Sequence, residues 1–183
     1  MPLICRHDAA LDLPDLLVTR RLTLRPLSGD DVAALHALLA QPGVRRHLCD
    51  GRATPRAEVV KMLITSARLR DADGTGLWTL AEDARPSTLV GIVGWWPYRH
   101  LDFPETSELL FALSEAHRGR GLATEAGNAM LDYARDTLGW RKAQASTNLG
   151  SIAAIRTLWR LEFNEAEIVR SRAGALRIFR RAL

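Results

Sequence analysis

The stretch from Glu108 to Ala126 holds the residues whose types and order could do chemistry: Glu108-Leu109-Leu110-Phe111-Ala112-Leu113-Ser114-Glu115-Ala116-His117-Arg118-Gly119-Arg120-Gly121-Leu122-Ala123-Thr124-Glu125-Ala126. It reads as a strand, a loop of arginine and glycine, and the first turn of a long helix. The start of a helix has N–H groups without partners inside the helix, and it is the positive end of the helix dipole. Glycines at 119 and 121 allow a ligand close to the backbone, and Arg118 and Arg120 add positive charge. Those properties suit a phosphate or pyrophosphate. Glu108, on the strand leading into the loop, and Glu105, three residues earlier, bring carboxylates toward the same corner.

The elements around this segment follow from periodicity. Residues 1–16 read as a lead-in, and residues 17–183 as one domain. From Arg21 to Arg25 apolar and polar residues alternate, as in a half-buried strand. Ser28 is a plausible cap for a helix with Val32, Leu35, Leu38 and Leu39 facing inward, ended by Pro42-Gly43. A second helix starts near Pro55, with Val59, Met62, Leu63 and Leu69 on its inner face. Leu77–Glu82 and Leu89–Trp96 flank a short polar connection and read as a hairpin, closed by Pro97. A third strand, 105–113, feeds the glycine loop. The helix after the loop carries Leu122, Ala126, Met130 and Ala134 at a spacing of four. Lys142–Thr147 is a strand, and Asn148 or Ser151 caps a further helix with Ile152, Ile155, Leu158 and Leu161 as its stripe. Two short strands, 165–170 and 175–179, end the chain. The fold class expected is mixed α/β: a mostly antiparallel sheet, helices on both faces, and one parallel strand–helix–strand unit.

Composition narrows the function classes. With 183 residues, 47% hydrophobic and 25% charged, the chain suits one globular domain. It holds no apolar run near the ~20 residues needed to span a bilayer, so no membrane role is expected. Cys5 and Cys49 read as two reduced thiols, and no cluster has metal-ligand spacing. The net charge of +4 comes almost wholly from arginine, since Lys61 and Lys142 are the only lysines. That balance fits either nucleic acid or an anionic cofactor. No helix-turn-helix, zinc or RNA-binding pattern accompanies it, so direct nucleic-acid binding is not expected. A dinucleotide-binding oxidoreductase fails on spacing, because Thr124 stands where a third glycine belongs.

Arg118-Gly119-Arg120-Gly121-Leu122-Ala123 resembles the acetyl-CoA loop of the GNAT N-acetyltransferase superfamily, written [R/Q]-x-x-G-x-[G/A]. Thr124-Glu125-Ala126, the opening Arg20-Arg21-Leu22-Thr23-Leu24-Arg25-Pro26, and Asn148-x-x-Ser151 resemble its RimJ/RimL branch, which acetylates ribosomal-protein N-termini. The resemblance covers residues 17–181. It implies a splay between the strands flanking the central helix, with acetyl-CoA lying in the V. It implies cofactor contacts at Leu113, Arg118, Gly119, Arg120, Gly121, Leu122, Ala123, Thr124, Asn148 and Ser151. Glu108 would be the base and Ser151 the group beside the sulfur.

Many members use a tyrosine on the later helix as acid. The position that fits here is Trp159, whose indole cannot serve. Family members also end that helix with Leu-Gly-Phe, where this chain has Leu161-Glu162-Phe163, so an altered helix end is expected. The implied function is acetyl transfer to a primary amine, on a protein N-terminus or a small molecule, in the cytoplasm and without a metal. A catalytically silent CoA sensor or scaffold is the alternative. Trp95, Trp96, Tyr98 and Phe103 could border the acceptor cleft, fill the core or form a homodimer contact.

Overall fold

Alternation and helical spacing build two layers of helices on a split sheet. The computed structural model describes residues 12–48, 51–83, 85–98, 106–171 and 174–183. Five strands form one antiparallel ladder in chain order: β1 (Leu17–Val18), β2 (Leu22–Pro26), β3 (Gly76–Glu82), β4 (Arg85–Tyr98) and β5 (Thr106–Leu113). A second ladder has the order β6 (Lys142–Asn148), β8 (Gly174–Ala182), β7 (Asn164–Ser171), also antiparallel. The helices are α1 (Val32–Ala40), α2 (Pro42–Leu48), α3 (Arg56–Asp73), α4 (Leu122–Asp136) and α5 (Ile152–Arg160). The expected mixed α/β class is the observed one. The unit β5–α4–β6 joins the two ladders, and no ladder links β5 to β6. The splay thus divides the sheet.

Each sheet face has its own core. Leu122, Ala126, Met130 and Ala134 of α4 are fully buried with Leu22, Leu24, Trp78, Leu80, Val93 and Trp95. On the opposite face Leu35, Leu38 and Leu39 of α1 and Val59 and Leu63 of α3 meet Leu77 and Ile92. Burying each leucine, valine or methionine among them contributes about 1.5–3 kcal/mol, so Leu122 and Met130 anchor the helix whose start forms the site. Trp95 belongs to this core, tilted against Trp140 with ring centroids 4.8 Å apart, and does not border a cleft. Trp96 is half-buried against the α1–α3 layer. Phe103 and Glu105, like both cysteines, lie outside the described residues.

Several expectations change. The first helix does stop before Pro42, at Ala40, but a further helix, α2, was not expected: Pro42 opens it, because a missing N–H costs nothing at a first helical position. Pro97 lies inside β4, opposite Ser107. Its nitrogen faces the β3 side, where β3 has already begun its turn away at Gly76, opposite Trp95, so no ladder bond is lost. Ile152 is 55% exposed and leaves the inner stripe of α5 to Ile155, Leu158 and Leu161.

The end of α5 is not altered by Glu162. Phe163 N–H donates to Leu158 O and Glu162 N–H to Trp159 O, each at 3.0 Å, which is the six-to-one and five-to-two pattern that glycine usually closes. Glu162 keeps that geometry at φ 59°. Its carboxylate reaches Arg181 Nη2 at 3.0 Å but is 78% exposed, so the pair compensates only partly. Glu162→Gly is therefore expected to raise Tm by roughly 1–4 °C, read by scanning calorimetry. A lower Tm would mean that the Arg181 pair outweighs the strain.

Candidate active site

Pairing on one edge of β5 decides what its other edge offers. Ser114 N–H donates to Val90 O at 2.9 Å, and Gly91 stands opposite Leu113. Bonding positions alternate along an antiparallel strand. Even-numbered β5 residues therefore bond β4, while Leu109, Phe111 and Leu113 turn their N–H and C=O groups toward β6. The seam between β5 and β6 is tied by side chains. The Glu108 carboxylate accepts from Gln144 Nε2 at 2.8 Å and from Ser146 Oγ at 2.5 Å. Glu108 is 4% exposed, so it is no surface residue; it sits in the crotch of the V.

The loop above that seam is open on its outer side. Gly119 and Gly121 take φ 75° and 78°, a left-handed conformation that disfavours any side chain. A Cβ at Gly119 would meet nothing within 4 Å, and one at Gly121 only Arg21 Nη2 at 3.6 Å. Among the described residues, the N–H groups from Gly119 to Thr124 donate to no backbone carbonyl. Six consecutive amides thus stand at the start of a 15-residue helix, where the dipole favours an anion.

The arginine side chains of the loop do different work from the one read in the sequence. Arg118 Nε donates to Leu113 O at 3.2 Å. Arg120 forks onto Glu82, with Nη2–Oε1 at 2.5 Å and Nη1–Oε2 at 3.1 Å, and its own carbonyl accepts from Arg21 Nη1 at 2.9 Å. These bonds fasten the loop to β3, β5 and the start of β2. What the loop presents outward is main-chain N–H.

Glu125 completes the fastening. It accepts from Thr19 Oγ1 at 2.7 Å, from Arg21 N–H at 2.8 Å and from Arg21 Nε at 2.7 Å. Burial alone would raise this carboxyl, but the bonds from Thr19 and Arg21 outweigh it and set it below the usual glutamate range. Arg120 likewise lowers Glu82. A lowered carboxyl stabilises the fold at pH above its unfolded value and loses that contribution as pH falls through its folded value. The clamp is therefore fully ionised at neutral pH and releases only in acid. Sequence reading missed Glu125 and Glu82; the only signal was a pair of opposite charges, Arg21 and Glu125, in two separate motif segments.

The sequence matches the Acetyltransferase (GNAT) domain over residues 21–164. The chain belongs to the GNAT acetyltransferase family. It is 28% identical over 169 residues to YkkB of Bacillus subtilis, an uncharacterized protein, covering 90% of this chain and 94% of that one. Its fold is that of an acetyltransferase from Agrobacterium tumefaciens, with TM-score 0.77, 24% identity and coverage of 96% and 98%. It is also that of RimL, the ribosomal L7/L12 α-N-protein acetyltransferase, solved with coenzyme A: TM-score 0.76, 14% identity, coverage 91% and 97%. GNAT enzymes use acetyl-CoA, and this chain is an acetyl-CoA-dependent acyltransferase. The residues fit that cosubstrate: six unbonded amides, two left-handed glycines with open space outside them, and an unpaired β5 edge leading to them.

At the later helix of this GNAT enzyme stand the two residues singled out in the sequence, Ser151 and Trp159. Ser151 is the N-cap of α5, yet its hydroxyl makes no capping bond and its N–H donates to Asn148 O at 3.0 Å. Ser151 is 5% exposed. Asn148 is the half-buried last residue of β6, opposite Leu176. Trp159 lies on the outer face of α5 at 56% exposure, and its buried neighbour Leu158 has no proton to give. Of the two tyrosines, Tyr133 donates to Gly74 O at 2.7 Å in the core. Among the described residues no group of three or more His, Cys, Asp or Glu could hold a metal. Because the Ser151 hydroxyl does not cap α5, Ser151→Ala is expected to slow turnover by roughly tenfold or more while leaving Tm unchanged. A fall in Tm at unchanged kcat would assign the hydroxyl to structure.

Proposed function

We propose that this enzyme acetylates a primary amine, on a protein N-terminus or a small molecule, by direct attack within a ternary complex, with Glu108 as the base. The observation that carries this reading is the position of Glu108: a buried carboxylate at the crotch of the V, on the strand whose free edge leads to the amide cradle. Bound acetyl-CoA supplies a thioester carbonyl activated toward amines. The amides of Gly119 through Thr124, with Arg118 and Arg120 fixing the loop that carries them, take the diphosphate. The N–H groups of Leu109, Phe111 and Leu113 face the pantetheine arm; the Leu113 carbonyl is already taken by Arg118. Asn148 and Ser151 border the same arm from the β6 side.

An amine attacks only when neutral. Glu108 accepts its proton, directly or through one water, while Gln144 and Ser146 fix the carboxylate in place. The nitrogen bonds to the acetyl carbon as the carbon–sulfur bond breaks. The Ser151 hydroxyl donates a hydrogen bond to the departing thiolate, which takes up the proton that the new amide nitrogen loses. Acetylation of a protein N-terminus is the acceptor chemistry of RimL, whose fold this chain shares. The cytoplasm is the compartment proposed for it, and no helix among the described residues is long and apolar enough to cross a membrane.

Thiol release from acetyl-CoA, measured against peptides with free N-termini, polyamines and aminoglycosides, tests this. Amine-dependent release with at least one class is expected. Release that is independent of every amine would contradict it.

A further inference from the structure

We propose that Arg20 and Arg160 form a second anion site that binds the 3′-phosphate of coenzyme A, and so distinguishes coenzyme A from its dephospho form. The proposal rests on the reading that the start of α4 holds the diphosphate.

A groove of about 600 Å³ continues outward from the amide cradle. Gly119, Gly121 and Thr124 line both. Arg20, Asn128 and Arg160 complete its wall, with Glu125. Arg20 stands just before β2 and Arg160 is the last residue of α5, so segments 140 positions apart in sequence bring two arginines to one groove.

The charge balance of the groove points to an anion. Both oxygens of Glu125 are taken by Thr19 and Arg21, which neutralises it. Arg21 is paired with Glu125 and Arg120 with Glu82, while Arg118, which bonds the Leu113 carbonyl, does not line the groove. Among the described residues neither the Arg20 nor the Arg160 side chain has a hydrogen bond or an ion pair. Two uncompensated cations therefore share a space with a helix start. A phosphomonoester carries a charge of about −1.5 to −2 near neutral pH and offers three acceptor oxygens. Guanidinium groups bind such oxygens in pairs. Coenzyme A carries its 3′-phosphate on the ribose that also bears the 5′-diphosphate, so a second anion site beside the first matches its shape. Dephospho-coenzyme A has only the diphosphate and would leave both arginines unpaired.

Isothermal titration of coenzyme A and of 3′-dephospho-coenzyme A tests the assignment, with the unaltered chain, Gly121→Glu and Arg20→Ala/Arg160→Ala. The unaltered chain is expected to bind coenzyme A roughly tenfold or more tighter than the dephospho form. The double variant is expected to bind the two equally, at the affinity the unaltered chain shows for the dephospho form. Equal binding of both by the unaltered chain, or a preference that survives in the double variant, would overturn the arginine site while leaving the cradle intact. Gly121→Glu separates the two claims: it should weaken both nucleotides alike. If neither nucleotide binds the unaltered chain, the cradle reading fails and this proposal with it.

Discussion

Gly121→Glu is expected to weaken coenzyme A binding by at least about 100-fold. The reason is local. Gly121 is the N-cap of α4 at φ 78°, and its outer side opens onto the cradle. A side chain there would extend into the open space outside the loop and place a carboxylate in the path of the diphosphate. Left-handed backbone strain adds about 1–2 kcal/mol to the folded state. Gly121→Ala carries the same strain without the charge, so it should lower Tm while weakening the nucleotide far less. Titration calorimetry of both variants separates the two effects. Equal affinity of Gly121→Glu and the unaltered chain would remove the loop from the binding site.

Glu108→Gln is expected to lower kcat by about 10²- to 10⁴-fold with coenzyme A affinity changed less than threefold. The substitution is nearly isosteric. An amide oxygen at 108 can still accept from Gln144, and the Ser146 hydroxyl can turn to accept instead of donate. The seam between β5 and β6 should persist, and Tm with it. The pH–rate profile gives the decisive readout: its acidic limb should vanish in the variant. A variant that keeps that limb, or one that loses kcat only in step with stability, would reduce Glu108 to a tie between two sheets.

The parts of this site that were legible in the sequence are those written in local pattern. Leu122, Ala126, Met130 and Ala134 announce one buried face, and all four are fully buried. Gly119 and Gly121 announce a backbone that side chains disfavour, and both are left-handed. The hairpin of β3 and β4 is legible as two apolar runs flanking a short polar connection. The resemblance to the acetyltransferase family, carried by three segments in order, agrees with the matched domain.

What escaped the sequence depends on which elements approach one another. Arg118 and Arg120 look like phosphate ligands in a local reading. Their guanidinium groups bond Leu113 and Glu82 only because β5 and the end of β3 come alongside the loop. Glu125 reads as an ordinary first-turn acid until β2 brings Arg21 to it. Ser151 reads equally well as cap or ligand in the sequence, and only the folded backbone shows that its side chain makes no capping bond. Trp159 and Leu158 are one residue apart, and the turn of α5 decides which of them faces inward. Glu162 shows the opposite limit. Its residue type argues against a left-handed helix end, yet Phe163 and Leu158, packed in the core, impose that geometry.

A crystal structure with coenzyme A tests the central claim most directly. The diphosphate oxygens are predicted to lie within about 3.2 Å of main-chain nitrogens between Gly119 and Thr124, with the pantetheine arm running along β5 toward Glu108. A nucleotide bound elsewhere, or a diphosphate held by side chains while those amides face water, would contradict the account.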